Sequence, residues 1–232
     1  MTRILVVEDD AFGRRYLESI LRDAGWTVVV TPDGTAAWAA FEHADVPFDV
    51  VVTDIRMPGL SGIDLITRIR ALDPVVGVIA VSAMGDDEQV VAGLEAGADD
   101  YLTKPFSERV LVAKVRAALR RAADGDDRAG REKLEVGPLQ LESRIGVATK
   151  LGRALALTRT EFALLEYLMR NQGRIVSPAQ ILGAVWGEAY EEDTEILRVA
   201  VLRLRRKVED DPANPALLRT HVGFGYSLGL PA

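Results

Sequence analysis

The chain has 232 residues, a net charge of −7 and no cysteine. Its length suits one large or two ordinary domains, and the lack of cysteine excludes disulfides, thiolate metal sites and cysteine nucleophiles. No apolar run approaches the roughly 20 residues of a membrane span, and the first apolar segment continues into acidic residues, unlike a signal peptide. We therefore expect a globular protein of the cytoplasm that does not associate with membranes.

Residues 1–121 alternate short apolar runs with helical patterns five times. The predicted strands cover residues 3–7, 26–30, 50–53, 75–81 and 99–102, and the predicted helices cover about 12–21, 36–41, 62–71, 86–96 and 107–121. The third strand is a run of β-branched residues without alternation, which is typical of a strand buried on both faces. The pattern predicts an α/β domain of (βα)5 form, with a doubly wound parallel sheet and helices on both faces.

Polar side chains follow four of these strands at the end where each strand stops. Glu8 and Asp9 follow the first strand, Asp54 the third, Ser82 the fourth and Lys104 the fifth. The carboxyl ends of parallel strands share one edge of the sheet, so these side chains should meet in one crevice. Three carboxylates in one place need a cation, and oxygen ligands favour Mg²⁺. A lysine and a hydroxyl beside them would suit a phosphoryl group on Asp54, although Asp54 alone could equally be a turn or capping residue.

Residues 122–131 are small, polar and glycine-containing, and we interpret them as an interdomain linker. Residues 132–232 form a second predicted domain of a different, α+β kind. Short apolar pieces between 134 and 157 suggest a small antiparallel sheet, and three helices should begin near Thr158 or Thr160, at Ser177-Pro178 and at Thr194. Two short strands around Gly223 close the pattern, which is that of a winged helix-turn-helix.

The third of these helices, residues 194–209, has one apolar face and several cations. The cations are Arg198, Arg203, Arg205, Arg206 and Lys207. Alone, such a group is as typical of a solvated helix face as of a phosphate-binding surface. The helix-turn-helix context and the hairpin that follows favour DNA binding.

The first domain resembles the CheY-like receiver domain of two-component response regulators. The matching motifs are Val7-Glu8-Asp9-Asp10, Asp54-x-x-Met57-Pro58 with Gly62, Val81-Ser82-Ala83, and Tyr101-Leu102-Thr103-Lys104-Pro105-Phe106. The resemblance implies that a sensor histidine kinase phosphorylates Asp54. It also implies roles for the surrounding residues: Mg²⁺ held by Glu8, Asp9, Asp54 and the main-chain carbonyl of Arg56; Ser82 and Lys104 turned to the phosphoryl group; Tyr101 as a switch that swings inward; and a cis Lys104–Pro105 bond.

The second domain resembles the winged-helix effector domain of OmpR/PhoB-type regulators. The matching elements are Leu157-Thr158-x-x-Glu161-Phe162-x-Leu164-Leu165, Leu204-Arg205-Arg206-Lys207-Val208-Glu209 and Gly223-Phe224-Gly225-Tyr226. The resemblance implies that residues 194–209 enter the major groove and that a wing at Gly223 reaches the minor groove. The chain departs from the family at Arg198, Ala200, Leu202 and Val222, and Val199 and Leu202 could contact thymine methyl groups.

Receivers of this family commonly pair through their fourth helix, fifth strand and fifth helix. Asp100 and Arg121 match one ion pair of that interface, whereas Val90 and Val110 stand where another Arg–Glu pair is usual. The two valines could replace the ion pair with an apolar contact between chains, or abolish the dimer.

These patterns predict a response regulator rather than an enzyme in the usual sense. Phosphorylation of Asp54 would favour a homodimer that binds tandem DNA half-sites and acts on transcription with RNA polymerase. One alternative is an aspartyl-phosphate phosphatase, but such enzymes need a second acid where this chain has Arg56. The other alternative is a receiver that dimerises without responding to phosphate.

Overall fold

The computed structural model describes residues 2–123 and 133–229. The chain divides into two compact units, residues 1–120 and 121–232. The predicted boundaries at residues 121 and 132 stay predictions. Most of the predicted linker, from residue 124 onward, lies outside the described residues. No helix in the described part of the chain combines the length and apolar character that crossing a membrane would require.

The first unit is a five-stranded parallel sheet with five helices, which confirms the predicted (βα)5 architecture. Its strands are β1 (Arg3–Val7), β2 (Thr27–Thr31), β3 (Val50–Asp54), β4 (Gly77–Ala83) and β5 (Asp100–Lys104). Its helices are α1 (Ala11–Asp23), α2 (Gly34–Glu42), α3 (Gly62–Leu72), α4 (Asp87–Ala96) and α5 (Glu108–Ala123). The strand order is β2-β1-β3-β4-β5, and every neighbouring pair is parallel. The order reverses between β1 and β3, which is where such sheets open a crevice.

The central strand β3 explains why its sequence shows no alternation. All five of its residues are buried, because helices cover both faces of the sheet. The core on one face is a continuous cluster that includes Ile4, Val6, Leu17, Leu21, Val50, Val52, Ile79, Val81, Leu102, Leu111 and Val115. Burial of this kind holds the strand ends, and therefore the polar residues that follow them, in a fixed register.

Short polar side chains begin three of the receiver helices. Asp10, Asp33 and Ser61 each accept a hydrogen bond from the backbone N–H three residues later, which satisfies one of the free donors of the first turn. The interpretation of Asp10 as the cap of the first helix is thus confirmed. Asp86 precedes α4 in the same way, but its side chain makes no capping hydrogen bond.

The second unit has the predicted α+β architecture. Its strands are β6 (Lys133–Val136), β7 (Leu139–Glu142), β8 (Val147–Lys150), β9 (Arg153–Ala154), β10 (Leu218–His221) and β11 (Gly225–Leu228), and its helices are α6 (Arg159–Arg170), α7 (Pro178–Val185) and α8 (Thr194–Val208). Strands β6 to β9 form one antiparallel sheet, and β10 and β11 form a hairpin. Thr158 rather than Thr160 caps α6, through a capping box with Glu161.

The turn between β3 and α3 depends on a glycine. A Cβ atom on Gly62 would overlap the main-chain carbonyl of Asp54 and crowd Ile55. Gly62→Ala should therefore lower the free energy of unfolding by about 1–3 kcal/mol, because backbone atoms cannot give way as side chains do. Urea unfolding measures the change. Gly93→Ala is the control, since its Cβ would meet the tip of the Ile55 side chain at 3.2 Å. Equal destabilisation of both variants would contradict this reasoning.

Candidate functional site

Three carboxylates meet at the carboxyl edge of the receiver sheet, as the sequence predicts. Glu8, Asp9 and Asp54 each offer an oxygen, and these oxygens all lie within 4.8 Å of one another. Glu8 and Asp54 are buried, whereas Asp9 is exposed. Carboxylates this close repel one another strongly unless a positive charge lies among them, so the arrangement needs a cation.

Lys104 supplies a positive charge to this cluster from the end of β5. Its Nζ atom lies 2.6 Å from Asp54 Oδ2 and 2.8 Å from Glu8 Oε2. Burial by itself lowers the pKa of Lys104, but hydrogen bonds to Asp54 and Glu8 outweigh burial and raise it. The lysine is therefore firmly charged and bridges the two buried carboxylates.

Glu8 is the member of the cluster whose negative charge is costly. Burial raises the pKa of its carboxyl group, and the hydrogen bond and charge of Lys104 offset this only in part. The negative charges of Asp54 and Asp9 raise the pKa further. A second cation would relieve this cost, and the donor set of three carboxylates suits a hard ion such as Mg²⁺. The residues present thus fit the predicted metal.

Backbone and hydroxyl groups complete the surroundings of Asp54. The backbone N–H of Arg56 donates to Asp54 Oδ1 at 2.8 Å, which fixes the carboxylate together with Lys104. The Ser82 hydroxyl is buried and, within the part of the chain that the structure describes, Oγ has no hydrogen-bond partner. A buried hydroxyl without a partner is costly, and a phosphoryl oxygen on Asp54 would provide one. The Arg56 carbonyl as a metal ligand stays a prediction.

Tyr101 and the following proline show two further features of β5. Tyr101 is half-buried, and Lys114 Nζ lies 5.3 Å from the centre of its ring. The inward swing of Tyr101 is not tested by this arrangement and stays a prediction. The Lys104–Pro105 bond is cis, as expected.

The cations of α8 are less available to DNA than their spacing suggests. Arg203 is buried and its guanidinium lies 2.9 Å from Glu161 Oε1, while Lys207 Nζ lies 2.5 Å from Glu161 Oε2. Arg205 donates to the Leu218 carbonyl at 2.9 Å. Our placement of Arg203 on the exposed face was wrong, because the buried stripe of α8 is wider than its most apolar positions indicate.

Val199 needs the same correction. Its side chain is 5% exposed, so contact with a thymine methyl group would require it to leave the core. Leu202 is half-buried and Arg206 is exposed. Arg198 is exposed and pairs with Glu195 at 3.1 Å. Contacts of Arg198, Leu202 and Arg206 with DNA stay predictions that the structure permits.

The hairpin after α8 ends in an apolar tip. Gly223 has a φ of +80°, and its neighbours Val222 and Phe224 are 90% and 73% exposed. The sequence had identified Gly223 as the wing, but not that its tip presents large apolar side chains. The tip therefore offers apolar surface and no charged side chain.

Glu209 ties this hairpin to α8. Its carboxylate accepts hydrogen bonds from the backbone N–H groups of Ala216, Leu217 and Leu218, at 2.7 to 3.2 Å. Neither Glu209 nor Glu161 was among the predicted site residues. The capping-box spacing of Thr158 and Glu161 was visible in the sequence. No motif in the sequence around Glu209 indicates its role.

The predicted dimer residues are only partly exposed. Val90 is 8% exposed in its own unit and Val110 is 43% exposed, so the proposed apolar contact between chains is not available to Val90 and that expectation is corrected. Asp100 is fully buried and pairs with Lys114 at 2.8 Å. The side chain of Arg121 lies outside the described residues, so its pair with Asp100 stays a prediction.

Comparison with known proteins gives matches to both units. Residues 4–116 match the response regulator receiver domain, and residues 152–228 match the C-terminal domain of transcriptional regulatory proteins. The sensory transduction protein RegX3 of Mycolicibacterium smegmatis is 45% identical, over 98% of this chain and 99% of its own. The DNA-binding response regulator MtrA of Mycolicibacterium paratuberculosis is 40% identical over 99% of both.

Solved structures agree with these matches. The response regulator DrrB of Thermotoga maritima, described as an OmpR/PhoB homologue, is 31% identical over 99% of both chains, with a TM-score of 0.51. A mutant of RitR, 21% identical, covers all of both chains with a TM-score of 0.77, which shows likeness of fold.

The cost of the Glu8 charge leads to a prediction. Glu8→Gln should unfold at a higher temperature than the unmodified protein in a chelator at pH 7, because an amide is cheaper to bury than this carboxylate. The raised pKa of Glu8 means that stability falls as pH rises above about 4.5, the ordinary carboxyl value. The advantage of the variant should therefore shrink towards pH 4.

Thermal unfolding with and without Mg²⁺ measures both effects. The matched control is Asp9→Asn, since Asp9 is exposed and should change little in the chelator. Both variants should lose stabilisation by Mg²⁺. A Glu8→Gln protein that unfolds at a lower temperature at pH 7 would contradict the prediction.

Proposed function

Because this chain belongs to the OmpR/PhoB family of two-component response regulators, we propose that Asp54 is the residue whose phosphorylation controls it. The protein is a DNA-binding transcriptional regulator with a receiver and an effector domain. The partner that supplies the phosphoryl group is a sensor histidine kinase, and the compartment is the cytoplasm.

The observation that carries the assignment is the position of Asp54 between fixed donors. Lys104 holds one carboxylate oxygen at 2.6 Å and the backbone N–H of Arg56 holds the other at 2.8 Å. The other polar residues at the carboxyl edge of the receiver sheet then have roles as well. Glu8 and Asp9 carry the charge that attracts a metal ion, and the Ser82 hydroxyl lacks a partner that a phosphoryl oxygen would supply.

The transfer needs little from the protein beyond positioning and charge. A carboxylate oxygen of Asp54 attacks the phosphorus of the phosphohistidine, the phosphorus–nitrogen bond breaks, and the imidazole nitrogen keeps the electron pair. Lys104 then pairs with phosphoryl oxygens, and Ser82 donates to one of them. When bound, Mg²⁺ would be held by Glu8, Asp9, Asp54 and the Arg56 carbonyl, and would neutralise charge on the transferring group.

The effector domain presents α8 and the hairpin tip to DNA. Arg198 and Arg206 supply charge for phosphates, Leu202 lies on the same helix, and the tip at Gly223 supplies apolar contact. A phosphorylation-dependent homodimer would place two such units on tandem half-sites, where RNA polymerase could be recruited. Val110, which is 43% exposed, is available for that pairing.

Occupation of the Asp54 pocket should control assembly. With Mg²⁺ and beryllofluoride, a phosphoryl mimic, the full-length chain should shift from monomer to dimer in sedimentation velocity, and Asp54→Asn should not. Binding to a tandem-site DNA should tighten in parallel. A dimer that forms equally with and without the mimic would favour the alternative of a receiver indifferent to phosphate.

The exposed and the internally paired cations of α8 should differ in their contribution to DNA binding. Arg198→Ala should reduce the slope of log affinity against log salt by about 0.9, the value for one lost phosphate contact. Lys207→Met should leave the slope unchanged, because Glu161 and the Ala156 carbonyl already bind its ammonium group. Filter binding over a salt series measures both. Equal losses of slope would contradict the division between exposed and internally paired cations.

A further inference from the structure

Helix α4 begins differently from the three helices before it. Asp10, Asp33 and Ser61 each accept a hydrogen bond from the N–H of the third helical residue, at 2.6, 2.8 and 3.2 Å. Asp86 occupies the same position before α4, and aspartate is among the best residues there. Its side chain nevertheless makes no capping bond. Something else must hold the carboxylate.

Arg56 holds it. Arg56 Nη2 lies 2.6 Å from Asp86 Oδ1, and the two side chains are 67% and 15% exposed. The backbone N–H of the same arginine donates to Asp54 Oδ1 at 2.8 Å. One residue therefore contacts the phosphoacceptor through its backbone and the start of α4 through its side chain.

Ile55, in the same short segment, also packs against α4. Ile55, between Asp54 and Arg56, is 1% exposed. A Cβ atom on Gly93 of α4 would lie 3.2 Å from Ile55 Cδ1, so the helix approaches this residue closely. A rearrangement at residues 54–56 is thus transmitted to α4 through packing as well as through the ion pair.

We propose that Arg56 couples the phosphorylation state of Asp54 to the first turn of α4. Without phosphate, Arg56 holds Asp86 and α4 stays uncapped. With phosphate, the guanidinium moves to the phosphoryl oxygens, and the released Asp86 caps α4. The inference rests on the proposed function, because it takes Asp54 as the phosphoacceptor.

Charge and geometry favour this exchange. A phosphoryl group carries nearly two negative charges and three acceptor oxygens, and a guanidinium binds such a group through two parallel hydrogen bonds. Asp86 offers the guanidinium only one charge, so its ion pair with Arg56 is weaker than the pairing of Arg56 with a phosphoryl group. Once released, the Asp86 carboxylate gains the Glu88 N–H at the positive end of the α4 dipole. Arg56 acts here as a positioning residue for α4.

Amide hydrogen exchange in the full-length chain tests the exchange of partners at the N–H of Glu88, because the N–H of Gln89 already donates to the Asp86 carbonyl at 2.9 Å. Without any mimic, Arg56→Gln and Asp86→Ser should slow exchange at the Glu88 amide by about fivefold relative to the unmodified protein, the effect of a typical cap. Arg56→Gln frees the aspartate, and Asp86→Ser keeps a capping hydroxyl that cannot form the ion pair. Asp86→Ala is the matched control and should give no protection.

Beryllofluoride with Mg²⁺ then tests the coupling. The unmodified protein should gain the same protection on binding the mimic, and the three variants should not change at the Glu88 amide. Fluorine NMR of the bound mimic reports separately whether the Asp54 pocket is filled.

The outcomes are distinct. A Glu88 amide that remains unprotected in Arg56→Gln without the mimic overturns the inference, because the arginine then does not withhold the cap. A filled pocket with unchanged exchange at Glu88 in the unmodified protein overturns the inference and leaves the proposed function standing. A pocket that never binds the mimic overturns the proposed function, and with it the coupling.

Discussion

Repulsion among carboxylates at one edge of a sheet is the constraint on which the receiver depends. Glu8, Asp9 and Asp54 lie within a few ångströms of one another, and two of them are buried. The fold meets this cost with Lys104, which comes from a strand 96 residues after Glu8 and 50 after Asp54. The balance is incomplete, since Glu8 remains harder to ionise than an ordinary glutamate. That remaining cost makes the pocket ready to receive another cation.

The effector unit solves a similar problem in a different way. Glu161 is almost fully buried; its Oε2 accepts hydrogen bonds from the Thr158 backbone N–H and from Lys207, and its Oε1 lies 2.9 Å from the Arg203 guanidinium. Here the charges neutralise one another within the domain. A buried carboxylate thus fixes where α8 lies against α6, while the receiver carboxylates are left open to a ligand. The difference lies in the supply of cations, with two for one carboxylate in the effector and one for three in the receiver.

Most of the receiver could be predicted from the sequence, because its signals are local. A strand buried on both faces has an unbroken apolar run, and parallel strands bring their carboxyl ends to one edge. Glu8, Asp54 and Lys104 could be placed together on that basis alone. The helix faces were less predictable. Val90, Val199 and Arg203 are buried because neighbouring elements cover more of each helix than its apolar stripe suggests, and that coverage is tertiary information. The pairing of Asp86 with Arg56 is likewise tertiary, since nothing in the helical pattern of residues 86–96 indicates a partner 30 residues away.

The hydrogen bonds that Glu209 accepts from the start of the hairpin have a consequence for DNA recognition. Three backbone N–H groups at the start of the hairpin are bound to Glu209, the first residue after α8, so the base of the hairpin is fixed to the end of the helix. A DNA-binding unit whose helix and hairpin have a fixed spacing cannot adjust to a duplex of different groove width. The duplex must adjust instead, and the energy of that deformation depends on base steps that no side chain contacts. Operators of this regulator would then be selected partly by the stiffness and shape of their intervening base pairs.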